Sequence, residues 1–567
     1  MASPDSAGAA AQAPAPLAGP CQPVPPKVDS ASASRGALAP LADPLFRMLW
    51  TASVVSNIGT WMQNVGGAWL MTDLTSSAQL VALMQTATSL PIFLAGLPAG
   101  ALADLVDRRR LLLWAQVWML LVAGVLGGLT LLNLVNPWLL LAFTFALGLG
   151  TAFNAPAWQA IIPEIVPAPG VPAAVALESA GFNVARAVGP ALGGIVVALF
   201  GPGANFLLNS ASFLATIVAL YLWKRPARTS ELPGERLVSA TRAGLRYARH
   251  APELHAVLVR TVAFMVCASA LWALLPQVAR QEMRLSSGGY GVLLGSLGLG
   301  AVLGAAVLPR IRERFSADVR VAGASAIFGL ATLALGYVPQ LAVLSLILAV
   351  AGAAWMVVTS GLNVIVQTCA PQWVKARALA TFLLVFQGTL AAASLLWGAV
   401  AERVGDPLTL AIAAAAMVLG VVVTWRWRLE STEAIDASPV HLLPAPELEE
   451  APDPLEGPVM VTAQYDVDLE HDTDFVVAMR AAWSVAPPRW RDALGTVPRS
   501  RGAGSLHRNL HCRAWAEHLR QVQRATLADQ DIDARARSFL KDADQPIVQH
   551  FVAAQGPNHT GAIVSGV

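Results

Sequence analysis

Between residues 46 and 427 the chain alternates long apolar runs with short polar segments. Twelve runs separate, near 46–71, 79–100, 111–134, 137–162, 173–200, 204–223, 256–278, 290–309, 320–338, 341–367, 377–401 and 407–427. Each has about 20 residues or more, the length a helix needs to cross ~30 Å of hydrocarbon. The pattern predicts an all-α membrane protein with twelve transmembrane helices. A polar stretch, 225–255, divides them six and six, which makes 45–224 and 256–429 the two halves.

The pattern changes outside these halves. Residues 1–44 are rich in Ala, Pro and Ser and hold no apolar core, so they predict a disordered tail rather than a signal peptide. Residues 430–457 form a Pro/Glu/Ala-rich linker. Residues 458–555 predict a small α+β domain, followed by a tail, 556–567. In that domain "VMVTAQYDVD" alternates like a strand, and "DTDFVVAMRAAW" and "RAWAEHLRQVQRATLADQDIDARARSFL" have a helical period. "PIVQHFVAA" reads as a closing strand, and "VAPPRWRDALGTVPRSRGAGS" fits no element well. In the middle link, "LVSATRAGLRYARHAPELHAVL" has a helical period with arginine on one side. An amphipathic helix on the membrane face and a solvated connector fit it equally well.

Only 13% of the residues are charged and 55% are hydrophobic, against about 25% charged in soluble domains. The net charge of +2 gives no reason to expect nucleic acid; the placement of the charges says more. Cations cluster before the first run (Lys27, Arg35, Arg47) and in alternate connections: "DLVDRRR", the middle link, "RIRERFSADVR", "WVKAR" and the exit "RWRLE". The other connections carry few, mainly Arg280, Arg284 and Arg403. The positive-inside rule then puts both termini, the middle link and the C-terminal domain in the cytoplasm. The four cysteines form no CxxC pair and predict neither a disulfide framework nor a zinc site. "HRNLHC" offers His507, His511 and Cys512, but the spacing fits no standard metal site. No cofactor is expected. The histidines lie outside the spans or at their edges, which argues against a histidine proton relay.

Two stretches carry the candidate chemistry. In "GALADLVDRRR", between the second and third runs, Gly100 would let helices approach, while Asp104 faces a cluster that includes Arg108 and Arg109. Such a turn is either a charge lock that breaks and reforms or a purely topological anchor. In "NVARAVGPALGG", Gly189 and Gly193 stand four apart, a small-residue face for close helix contact, with Gly194 beside them. Pro190 bends the span. Arg186 is expensive there, and an intramembrane cation normally faces a polar cavity; the competing reading is a structural cation held by carbonyls. Glu178 lies eight residues earlier on the same run, roughly 12 Å along the axis. These two are the candidates for charge coupling. Asn57, Gln63, Asn64, Gln85, Asn154, Asn183, Asn363, Gln367 and Gln387 would line a cavity. Trp61, Trp69, Trp158 and Trp355 would stack on an aromatic substrate or anchor the helices at the interface.

With Gly100, Leu102, Ala103, Asp104, Arg108 and Arg109, the second connection resembles the commonest signature of the major facilitator superfamily. Asp107 replaces that signature's usual glycine, and the eighth connection keeps only Gly304 and its basic residues. "GPALGG" resembles the fifth-helix motif of the superfamily's exporters and antiporters. "SNIGTWMQNV", "GTAFNAPAWQAIIPEIVP", "SAGFNVARAVGPALGG" and "NVIVQTCAPQWVKARALA" are similar to the branch of the enterobactin exporter and the transmembrane secretion effectors. The C-terminal domain resembles the ferredoxin-like fold of small antibiotic-biosynthesis monooxygenases, with "WAEHLRQVQRAT" the best-matching piece and no oxygenase chemistry visible. The resemblance implies a proton-coupled exporter of a siderophore, drug or metabolite, working by alternating access in a bacterial inner membrane. Its partners would be a small-molecule substrate, protons and the lipid bilayer. The branch's common fourth-span arginine is Thr144 here, beside Gly148 and Gly150. An importer of the same fold, and a membrane-anchored receptor or scaffold acting through its cytoplasmic domain, are the alternative functions. Nothing in the sequence sets the oligomeric state.

Overall fold

The computed structural model describes residues 38–223, 252–370, 372–429, 459–466, 505–512 and 547–552, together with residues 515 and 538. Twelve long helices run through it. They are α1 (Pro44–Leu74), α2 (Ala78–Leu105), α3 (Arg108–Leu131), α4 (Pro137–Ile165), α5 (Val171–Phe200) and α6 (Pro202–Leu222), then α7 (Pro252–Gln277), α8 (Ser287–Arg314), α9 (Ala317–Tyr337), α10 (Leu341–Cys369), α11 (Gln372–Val404) and α12 (Asp406–Thr424). Eleven of these are long and apolar enough to cross a membrane. The remaining one, α1, is diluted by Ser53, Ser56, Asn57, Gln63 and Asn64.

The helix boundaries follow from local chemistry. Asp43 caps α1 by accepting from Leu45 N at 2.7 Å, and Ser77 and Asn136 cap α2 and α4 in the same manner. Asp107 sits at φ −56°, where any residue fits, and its carboxylate accepts from Arg110 N at 2.9 Å. The glycine expected at that turn is therefore not needed, and aspartate caps α3 instead. Gly201 (φ 79°) joins α5 to α6, and Gly405 (φ 82°) joins α11 to α12. The same left-handed link at the same step of each half marks a repeat of six helices, as in transporters whose halves are related about the membrane normal.

The helices alternate in direction. We call the end where the chain enters α1 and leaves α12 the near end, and the opposite one the far end. At the far end the halves share one core. The largest buried cluster is built on the second half but takes in Val65, Trp69, Ala78, Ala82 and Val197 from the far ends of α1, α2 and α5. Polar links reinforce it. Glu402 accepts from Ser77 Oγ at 2.9 Å and Gln79 N at 3.1 Å. Arg280, on a π-helical turn (Val278–Glu282) that extends α7, pairs with Asp73 and lies over Trp69. Trp69 in turn stacks on Tyr290. Nearer the middle, Thr86 Oγ1 donates to the Ala391 carbonyl at 2.8 Å.

Three strands beyond the bundle form an antiparallel sheet in the order β2-β1-β3, with β1 at Val459–Asp466, β2 at Ser505–Cys512 and β3 at Ile547–Val552. β1 lies in the stretch whose alternation predicts a strand, and β3 in the one read as the closing strand. β2 holds the His507, His511 and Cys512 stretch, whose alternation is broken by Arg508 among Leu506, Leu510 and Cys512. The helices expected around this sheet, the tail before residue 38, the middle link's amphipathic stretch and the linker 430–457 lie outside the described residues.

Candidate functional site

The site is built on α5, because α5 makes the joint between the halves. On one side Gly189 and Gly193 meet α1: a Cβ on Gly193 would stand 2.8 Å from Met62 Cα. On the other side Gly194 meets α8, where a Cβ would stand 2.7 Å from the Ser287 carbonyl oxygen. Both obstacles are backbone, so neither can yield. Pro190, inside the helix between these contacts, presents its carbonyl to Gly291 of α8. Gly193→Leu should therefore force α1 from α5 and destabilise the protein by at least about 3 kcal/mol. Gly128→Ala, where nothing stands within 4 Å, should be neutral or stabilising. Thermal unfolding in detergent, run on both variants, checks the contrast; equal midpoints would refute it.

Arg186 sits at mid-height on this helix, 8% exposed. Its guanidinium carbon lies over three indoles, at 5.8 Å from Trp61, 5.5 Å from Trp272 and 5.8 Å from Trp355. Trp61 belongs to the first half, Trp272 (α7) and Trp355 (α10) to the second. Phe182 meets Trp61 edge-on, and Trp355 meets Phe386 edge-on, which extends the aromatic wall. No carboxylate of a described residue pairs with Arg186, and its buried Nε has no hydrogen-bond partner. Each indole contributes roughly 0.5–2 kcal/mol of cation–π attraction. Three of them match the about 2.5–3.5 kcal/mol that insertion scales assign to a mid-span arginine. They offset the charge and leave the N–H donors unmet. Of the two readings open for this residue, the carbonyl-held one finds no support among the described residues, where no carbonyl receives the guanidinium.

Glu178 lies nearer the near end and does not reach Arg186. Its carboxylate accepts from Ser53 Oγ at 3.4 Å, and Ser53 Oγ accepts from Asn57 Nδ2 at 3.3 Å. The indole N–H of Trp158 lies beside the same carboxylate without good hydrogen-bond geometry. Asn57 and Glu178 are thus joined through Ser53, a residue too small and too common in spans to stand out in sequence.

The other candidates divide. Gln63 accepts from Asn209 Nδ2 at 2.6 Å between α1 and α6, and Asn154 accepts from Gln116 Nε2 at 3.0 Å between α3 and α4. Both pairs lie within the first half. Gln85 bonds Ser89, Asn363 accepts from Gln367, and Asn183, which is half-buried, bonds the Ser179 carbonyl one turn back. Gln387 is half-buried on α11. At the near end Arg108 pairs with Glu164 of α4 at 2.8 Å and bonds the Ala103 and Ala160 carbonyls. Arg109 donates to the Leu220 and Tyr221 carbonyls of α6. These arginines tie α3 to α4 and α6, a role that sequence alone did not suggest. The side chain of Asp104 lies outside the described residues. Among the described residues nothing stands within 4 Å of a Cβ position on Gly100. Thr144 bonds the Leu140 carbonyl one turn back at 2.8 Å.

The family model described as transmembrane secretion effector matches residues 35–558. The multidrug efflux pump Tap of Mycolicibacterium fortuitum is 25% identical over 408 residues, 69% of this chain and 97% of its own. The staphyloferrin A transporter of Staphylococcus aureus is 22% identical, covering 51% of this chain and 72% of its own. Among solved structures, the nucleoside transporter NupG aligns with a TM-score of 0.57 at 11% identity, over 68% of this chain and 99% of that one. A POT family transporter in complex with 5-aminolevulinic acid also scores 0.57 at 11% identity, over 69% and 96%. At such identities the structural likeness speaks for the fold alone, and it agrees with the six-plus-six repeat. The chain belongs to the transmembrane secretion effector family of major-facilitator transporters: it is a multi-pass membrane transporter, not an enzyme.

Proposed function

We propose that this transporter is a proton-coupled exporter of a small molecule, such as a siderophore, drug or metabolite, and that it works by alternating access in a bacterial inner membrane. The observation that carries the coupling is Glu178. It is a carboxylate inside the bundle met by neutral groups, Ser53 and Trp158, on the helix that forms the joint between the halves. A carboxylate in such surroundings is stable protonated as well as charged, and it changes state when water reaches it. Protons that bind it from outside and leave inside would run down their gradient while substrate moves the other way.

Direction is argued from relatives and from charge. The efflux function printed for the Tap pump supports export. Arg47, Arg108, Arg109, Arg110, Arg312, Arg314, Arg377 and Arg426 all belong to the near end of the bundle. That supports a cytoplasmic near end and cytoplasmic termini. The closed far end then faces outward and has to open for release. Asp104, Arg108 and Arg109 are the proposed near-end gate, and Gly189, Pro190, Gly193 and Gly194 the joint.

The test has two steps. Metabolites exported by cells carrying the protein are compared with those of a deletion strain, and the compound that differs is then followed in everted membrane vesicles. With Glu178→Gln, the vesicles should exchange that compound down its gradient but should not accumulate it when a pH gradient is imposed. Accumulation at the wild-type rate would remove Glu178 as the proton carrier.

A further inference from the structure

Arg186 presents a donor set that no described residue uses. The guanidinium has five N–H donors in a planar fork and stays charged. Here it is 8% exposed, its Nε is buried without a partner, and no described side chain supplies an anion. Indole faces stand on its sides, 5.5–5.8 Å from the guanidinium carbon. The Nε–H is left without a partner, and the guanidinium edge that carries it is one that takes a planar anion through two parallel bonds. A cationic compound would meet like charge here. A neutral one would leave the donors charged and poorly met. The walls add a second requirement: Trp61 and Phe182 on the first half and Trp272, Trp355 and Phe386 on the second offer ring faces and edges to a flat, apolar body.

We propose that the mid-height site binds the anionic group of an aromatic substrate, a ring-borne carboxylate or its equivalent, with the anion on the Nε edge of Arg186 and the ring among the tryptophans. The proposal rests on the reading of the bundle as a substrate carrier and adds the substrate's chemical class. It also gives the site a mechanical consequence. Arg186 belongs to the first half and two of its three indoles to the second, so an arriving anion competes with contacts that tie the halves together at mid-height.

The test measures binding to the purified full-length protein in detergent, with 2-naphthoate and its neutral isostere 2-naphthamide as probes. Wild type should bind the carboxylate at least about tenfold more tightly than the amide, the size of a charge-assisted pair. Arg186→Gln should bring the ratio close to one. Arg186→Lys, which keeps a point charge but not the fork, should leave an intermediate ratio and serves if the glutamine variant does not fold. Trp272→Leu should weaken both probes and leave their ratio unchanged. Phosphatidylglycerol should not displace the naphthoate; displacement would make a lipid the occupant and overturn the proposal. Equal binding of the two probes to wild type, or an unchanged ratio in both Arg186 variants, would also overturn it. Because binding is read without flux, a preference that depends on Arg186 in a protein that moves nothing would sink the carrier reading and leave the anion site standing.

Discussion

Oxidising the double variant Ala191→Cys/Gly295→Cys stops transport, and reducing it restores turnover. The two positions face each other across the joint between α5 and α8, and a Cβ built on Gly295 stands 3.6 Å from the Ala191 Cβ. Cysteines form disulfides at Cβ separations of about 3.5–4.5 Å, so the bond closes without moving backbone. Once closed, it fixes the halves in the arrangement described here, with the far end sealed by the core around Trp69, Ala82 and Val197 and by the Arg280–Asp73 and Glu402–Ser77 contacts. Alternating access needs those contacts to part, and packed interfaces switch between discrete arrangements rather than stretch. Cys21 and Cys512 are first replaced by serine; Cys267 and Cys369 are buried and stay. Cutting the chain within residues 225–255 shows whether the halves remain joined, which scores the cross-link directly. Full transport by fully cross-linked protein would mean that α5 and α8 do not separate in the cycle, and the rocking reading would fail.

The sequence disclosed the bundle readily and the site only in outline. Apolar runs bounded by charge and proline are a strong signal because lipid demands that every backbone group be satisfied within its helix. The observed helices overrun the expected spans mainly at the near end, as where α2 runs to Leu105 instead of 100 and α8 to Arg314 instead of 309, because charged and polar residues there still belong to the helix. Arg186 was legible because a mid-span cation is costly wherever its neighbours come from. Its surroundings were not: Trp272 comes from the other half, and nothing local to α7 marks it as facing an arginine. The amides are hard to assign from sequence for a related reason. Inside a bundle, a neighbouring helix welcomes a polar side chain as readily as a cavity does. Gln63 and Asn154 thus satisfy Asn209 and Gln116 within their own half, although their spacing along the chain resembles a cavity lining. The turn at Asp107 shows the converse: a missing glycine raised doubt about a motif, and the aspartate proves to cap the next helix.

Replacing Arg260 by methionine should cost about 3 kcal/mol of stability, and replacing Asp318 by leucine at the same time should recover part of it. Arg260 Nη2 donates to Asp318 Oδ1 at 2.5 Å, with side-chain exposures of only 2% and 8%. The pair lies at the near end of the second half, between α7 and α9, and gathers the chain that leaves α12. Leu429 N donates to both Asp318 oxygens at 3.2 and 3.1 Å, and Arg260 Nε donates to the Trp427 carbonyl at 3.1 Å. Trp425 lies against the guanidinium, and Leu429 is fully buried. Removing Arg260 alone takes away the countercharge that reaches Asp318 from α7 and frees the returning segment, whereas removing both charges leaves an apolar contact of similar volume and costs only the acceptor of Leu429 N–H. Breaking a buried pair is strongly destabilising, while replacing the pair as a whole is often close to neutral. The two changes should therefore be far from additive. Unfolding midpoints of the two single variants and the double, measured in one detergent, give the coupling. Proteolysis of the linker beyond residue 430 should quicken in the Arg260 variant, because that pair fixes the point from which the C-terminal residues depart. Additive single losses, or a double variant worse than either single, would show that the ion pair does not hold this segment, and its anchoring would then have to come from the packing of Leu429 alone.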